Sequence, residues 1–200
     1  MKEREAGYYE MLYQNTLEFL QTNNIPIEPW GRAGAKTLDD LVREIESGDC
    51  ILECPKVGEV VRVLRTARIK VLCKIDKNNY ELVEGTQTLP DGSTRDRLEQ
   101  FGSGIAEKLH LNEDALAGAV RGIREELFNN NLEIPILSKN ITSLGVEKTV
   151  RESQSYPGIY NHSNVFIYLW KMPINLYKAE GYKEIKENGQ VTPFVWRKKI

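Results

Sequence analysis

Residues 113–127 constrain this chain most. Leu116, Val120, Ile123 and Leu127 recur at three- and four-residue spacing and give the segment one apolar face. Asn112 offers an N-cap, and Glu113 and Asp114 put acidic charge at the positive end of the helix. The sequence on either side reads as strand. Between 67 and 75 the apolar residues Ala67, Ile69, Val71, Cys73 and Ile75 alternate with Arg68, Lys70 and Lys74, interrupted only by Leu72. Residues 57–64 add a strand just before, and a Lys77-Asn78-Asn79 turn leads into a hairpin partner at 80–87. Further strands are expected at 141–150, 165–171 and 191–197, with Tyr156-Pro157-Gly158 as a turn. Strands, then one strong helix, then strands again predict an α+β domain in which helices cover a mixed β-sheet.

The first 50 residues differ in kind. Over 5–20, Tyr9, Leu12, Tyr13, Leu17 and Leu20 make an amphipathic helix that Asn23, Asn24 and Pro26 end. Thr37 caps a second helix with the stripe Leu38, Leu41, Val42 and Ile45, closed by Gly48. The expected organisation is a helical extension over 1–50 and a domain over 51–200. Tyr8, Tyr9, Leu12 and Tyr13 suit a partner-binding role for the first helix, including a homodimer.

Charge and cysteine usage exclude several classes. Lys and Arg total 27 against 29 Asp and Glu, a net charge of −2, so nothing global favours a nucleic-acid backbone. Three cysteines, Cys50, Cys54 and Cys73, are an odd number in a chain this long and suit reduced thiols in a cytoplasmic setting. Cys50 and Cys54 lack further ligands at zinc spacing. No run approaches the roughly 18 apolar residues that a membrane span needs.

Chemistry concentrates on the helix at 113–127. One turn separates Arg121 from Glu125 and Gly122 from Glu126, so two carboxylates sit beside a bare glycine face. Gly118 and Gly122 each cost about 1 kcal/mol against alanine inside a helix, which implies close packing or room for a ligand. Paired carboxylates on a rigid helix suit a hard divalent cation that bridges phosphates, although solvated charges near a helix end are the plainer reading of the helix alone.

The segment EKLHLNEDALAGAVRGIREELF resembles the Nudix box, G-x5-E-x7-R-E-U-x-E-E-x-G-U, with Glu113, Arg121, Ile123, Glu125 and Glu126 in register. Three positions depart from it: the opening glycine is Glu107, the glutamate after the arginine is Gly122 and the closing glycine is Phe128. Trp30-Gly31, residues 35–45, Leu89-Pro90-Asp91-Gly92, Ala106-Glu107-Lys108 and Ser155-Tyr156-Pro157-Gly158 are similar to a divergent Nudix-like branch of plants, algae and microbes, so the resemblance spans most of 30–197.

The resemblance implies a Nudix-type α/β/α sandwich and a Mg2+- or Mn2+-dependent hydrolase of a nucleoside triphosphate or nucleoside-diphosphate-linked substrate. Arg121 and Glu125 would be catalytic, and Glu125 and Glu126 metal ligands, with Glu107 replacing the missing glutamate and Glu147 and Glu152 as other replacements. The alternative it leaves is a catalytically weak or inactive module that binds a nucleotide or a protein. Arg97 and Lys108 are expected to meet substrate phosphates. Arg62, Arg65, Arg68, Lys70 and Lys74 read as a solvated strand face. His110 and His162 have no ligand or triad spacing, and Phe166, Tyr168 and Trp170 alternate as one packed sheet face.

Overall fold

The computed structural model describes residues 2–96, 104–129, 139–186 and 188–199. The fold is α+β with a mixed sheet. Among the described residues three α-helices, α1 (Lys2–Thr22), α2 (Leu38–Glu46) and α3 (Ala115–Phe128), accompany the strands. These are β1 (Cys50–Lys56), β2 (Glu59–Ile75), β3 (Asn78–Glu84), β4 (Gln87–Thr88), β5 (Thr94–Arg95), β6 (Ile105–Lys108), β7 (Ile141–Glu152), β8 (Tyr160–Lys171), β9 (Tyr182–Ile185) and β10 (Val191–Lys198). Hydrogen-bonded neighbours follow the order β5-β4-β10-β3-β2-β8-β7, with β1 and β6 also on β2 and β9 on β10. The chain forms two compact units, one of residues 1–65, 108–113 and 147–165, the other of 66–107, 114–146 and 166–200.

In the first unit the stripe predicted for α1 packs where its periodicity directs. Leu20 is fully buried with Leu41, Val42, Tyr156 and Ile159, Trp30 is nearly so, and Tyr9, Leu12, Tyr13 and Leu17 pack against that cluster. Thr37 caps α2 in a reciprocal box with Asp40, as the sequence suggests. The Trp30 indole N–H donates to the Pro157 carbonyl at 2.9 Å, which ties the segment after α1 to the Tyr156-Pro157-Gly158 turn. β1 pairs antiparallel with the start of β2, from Cys50 against Leu64 to Glu53 against Val61.

Beneath this core lies a buried ion pair that corrects the reading of Arg62 as a solvated residue. Val60, Val61 and Arg62 are all buried, and the Arg62 guanidinium meets the carboxylate of Glu44 on α2. Glu44 also takes Lys36 at 2.6 Å and Lys108 at 3.6 Å, while Arg62 lies over the Tyr156 ring and donates to Asn161. Burial pushes the Glu44 carboxyl up, but the Lys36 hydrogen bond and the charges of Arg62 and Lys108 outweigh it and hold the group below the ordinary carboxylate range. Arg65 is not a free surface charge either: its Nη1 donates to the carbonyls of His110, Leu111 and Glu113 at 2.8–2.9 Å.

In the second unit the alternation over 67–75 is realised, with Ala67, Ile69, Val71 and Cys73 inward. The expected strands at 57–64 and 67–75 are one continuous β2, because no residue between them breaks the ladder. The hairpin turn lies at Asp76-Lys77, one residue ahead of the expected turn, since Ile75 pairs with Asn78 and Asp76 accepts a positive φ of 53°. Tyr168 and Trp170 are buried on β8 and Phe166 partly so, as their spacing implies. Two glycines open short strands: a Cβ on Gly104, just before β6, would overlap the Ile69 carbonyl, and one on Gly181, just before β9, the Phe194 carbonyl. Both hold positive φ, 114° and 79°.

Candidate functional site

α3 is built as the sequence suggests, with two differences. Its N-cap is Asp114, whose carboxylate accepts the Ala117 N–H at 2.9 Å, rather than Asn112. Its buried face is Ala115, Ala119, Val120, Ile123 and Leu127, while Leu116 is exposed. Leu116 lies one residue past Ala115, about 100° around the helix, so the two cannot share a face. Asn129 closes the helix in the left-handed conformation, its N–H donating to the Arg124 carbonyl.

The glycine at 122 has a structural reason. A Cβ built there would sit 2.8 Å from the Cβ of Glu107 on β6, 3.1 Å from its Cγ and 3.4 Å from its Oε2. The Glu107 side chain thus fills the notch that the missing side chain leaves. Its other oxygen is gripped by Arg121, Nη1 to Oε1 at 2.6 Å, and the same nitrogen lies 3.6 Å from Glu125. Arg121 therefore stands between a carboxylate one helical turn on and one delivered by a strand.

Glu126 has a strongly perturbed environment. It is partly buried and makes no hydrogen bond among the described residues. Desolvation, then the negative charges of Glu184, Glu107 and Glu84, raise its carboxyl well above the ordinary value against a weaker opposing pull from Lys186. Charges of acids on β3, β6 and β9 thus act against the charge of an acid on α3. Glu84 accepts from the Gln87 amide at 2.5 Å, Gln87 in turn accepts from Arg95 at 2.8 Å, and Glu184 lies 3.7 Å from Lys186.

Glu84 and Glu184 were missed by sequence reasoning, because only the packed structure shows which face of β9 turns inward. Tyr182 is buried while Ile185 is 69% exposed, so the inward face of that strand is Tyr182 and Glu184. The other expected site residues divide. Arg121, Glu125, Glu126 and Glu107 come together in the second unit. Lys108 belongs to the first unit, 3.6 Å from both Glu44 and Asp49. Glu113 also belongs there, its carboxylate accepting the His110 N–H at 3.1 Å. Glu147 and Glu152 are exposed on the part of β7 in the first unit, and Arg97 lies outside the described residues.

Among the described residues no group of three His, Cys, Asp or Glu side chains is gathered into a metal-ligand shell. The donor set nonetheless suits a hard cation: carboxylate oxygens only, one of them without a donor among the described residues and repelled by its neighbours. Among the described residues no helix is long and apolar enough to cross a membrane.

No family model and no curated protein sequence matches the chain. Solved structures do. A C. elegans Ap4A hydrolase matches at 14% identity over 56% of this chain and 70% of that one, with a TM-score of 0.32. The NUDIX domain of Shewanella oneidensis NrtR, complexed with ADP ribose, matches at 14% identity over 66% and 71%, with a TM-score of 0.37. The T. brucei MERS1–RNA complex matches at 12% identity over 72% of this chain and 41% of that one, with a TM-score of 0.36. At such values these are likenesses and carry no family assignment.

Proposed function

We propose that the chain is a divalent-cation-dependent hydrolase of a nucleoside triphosphate or a nucleoside-diphosphate-linked substrate, of the Nudix type that residues 107–128 resemble, acting in the cytoplasm. One observation carries the reading: Glu126 is a partly buried carboxylate with no hydrogen-bond donor among the described residues, repelled by Glu107 and next in the chain to Glu125, which together with Glu107 is paired to Arg121. A group so destabilised when charged is relieved by a counter-cation, and Glu126 with Glu107 and Glu125 would hold Mg2+ or Mn2+ through oxygen. The bound cation would neutralise charge on the diphosphate as water attacks phosphorus. Arg121 fixes the carboxylates at 107 and 125 so that their oxygens meet the cation in a set orientation. Arg97 is retained as a phosphate contact from the sequence.

A second reading, a module that binds a nucleotide without turnover, is favoured by the tight Arg121–Glu107 pair, which holds one oxygen of Glu107 away from a cation. A screen of nucleoside triphosphates, ADP-ribose, dinucleotides and sugar nucleotides with Mg2+ or Mn2+ separates the two. Metal-dependent release of a phosphorylated product is the expected result. Tight binding with no product under either metal would replace the hydrolase by the module.

A further inference from the structure

Position 122 and position 107 touch each other more closely than ordinary side chains can. The nearest atom to a Cβ on residue 122 is the Cβ of Glu107, not the mobile end of that side chain. Rotating Glu107 therefore cannot make room, and neither could shortening it to alanine. Only glycine at 107 would admit a side chain at 122, just as only glycine at 122 admits Glu107. Each position needs the other to be bare.

We infer that residues 107 and 122 form one exchangeable unit, in which strand β6 rather than helix α3 carries the carboxylate at position 122, one helical turn before Glu126. Two contacts, one with Gly122 and one with Arg121, place that carboxylate. The notch at Gly122 receives the stem, Arg121 takes Oε1, and Oε2 lies over the helix 3.4 Å from where a side chain at 122 would begin. Arg121 and Gly122 are thus positioning residues, and Glu107 is the group they aim. The inference rests on the cation-dependent reading above, and it adds the strand origin of the ligand.

The test is a reciprocal swap, read by Mn2+ titration calorimetry and by thermal melts in chelator. Gly122→Glu alone should melt below the parent protein, because its Cβ overlaps Glu107. Glu107→Gly and the near-isosteric Glu107→Gln should stay folded and bind Mn2+ on the order of tenfold more weakly or worse. The double variant Glu107→Gly/Gly122→Glu should regain both melting temperature and Mn2+ affinity, whereas Glu107→Ala/Gly122→Glu should regain neither. A folded Glu107→Gly/Gly122→Glu protein that binds Mn2+ no better than Glu107→Gly, or a Glu107→Gln protein that binds it as well as the parent, would overturn the inference. Glu126→Gln separates the two levels. If it abolishes Mn2+ binding while the swap restores nothing, the strand-borne ligand fails and the cation site stands. If the parent protein takes up no Mn2+, both fail together.

Discussion

Glu44 and Arg62 should respond unequally to removal. Glu44 faces three cations, Arg62, Lys36 and Lys108, and Arg62 is the only one of them that is buried, with its side chain 7% exposed. Glu44→Gln keeps the volume but leaves the buried guanidinium facing no carboxylate, and removing one partner from such a pair costs about 3–5 kcal/mol. Arg62→Met leaves Glu44 with two partly exposed ammonium groups at 2.6 and 3.6 Å. Its cost is the hydrogen bond to Asn161 and the cation–π contact with Tyr156, about 1–2 kcal/mol together. The difference of about 2 kcal/mol exceeds tenfold in the unfolding equilibrium. Urea denaturation reads it, as a midpoint that shifts with an unchanged slope. The double variant should be more stable than Glu44→Gln alone, since it removes the stranded charge. Arg62→Met destabilising as much as Glu44→Gln would refute the reasoning. The pH dependence has a definite sign: the Glu44 carboxyl is lower folded than unfolded, so its contribution is present above the unfolded value and lost as pH falls through the folded one.

Three further outcomes follow from local environments. Glu126→Gln should raise the melting temperature of the metal-free protein near pH 8 and leave it nearly unchanged at pH 4; the Glu126 carboxyl is raised on folding, so its charged form costs stability above that value, and equal melts at pH 8 would contradict the cluster. Alkaline difference spectra should show tyrosines titrating late, because burial and the Asp39 hydrogen bond push Tyr9 up to about 12, and Tyr9→Phe should remove one of them. Trp30→Phe should cost about 1–2 kcal/mol in urea unfolding, by leaving the Pro157 carbonyl without its donor.

Much of the fold was legible because local rules govern it. The stripe of α1, the Thr37 cap of α2 and the alternation in β2 depend on neighbours a few residues away, and each is realised. Errors arose where distant packing decides. Arg62 reads as one more strand cation until α2 brings Glu44 over it, and Glu84 and Glu184 gain significance only when β3 and β9 meet Glu126. The candidate site was half legible. Arg121, Glu125 and Glu126 lie on one helix at spacings that fix their relation, whereas the fit of Glu107 into Gly122 joins residues 15 apart on different elements. A glycine inside the helix hinted at an approach without saying what approaches.

Gly104 and Gly181 give the site an unusual mutational profile. Each stands three residues before an acid that faces Glu126, Glu107 in one case and Glu184 in the other, and each has its α-carbon against a neighbouring strand's carbonyl. A methyl group at either position would lift the start of its strand, and three residues later the carboxylate would be carried off its mark. Saturation mutagenesis scored on metal binding should therefore find two intolerant positions that never touch a ligand. Their tolerance of substitution is set by backbone clearance, and a survey ranking residues by closeness to the chemistry would pass over both.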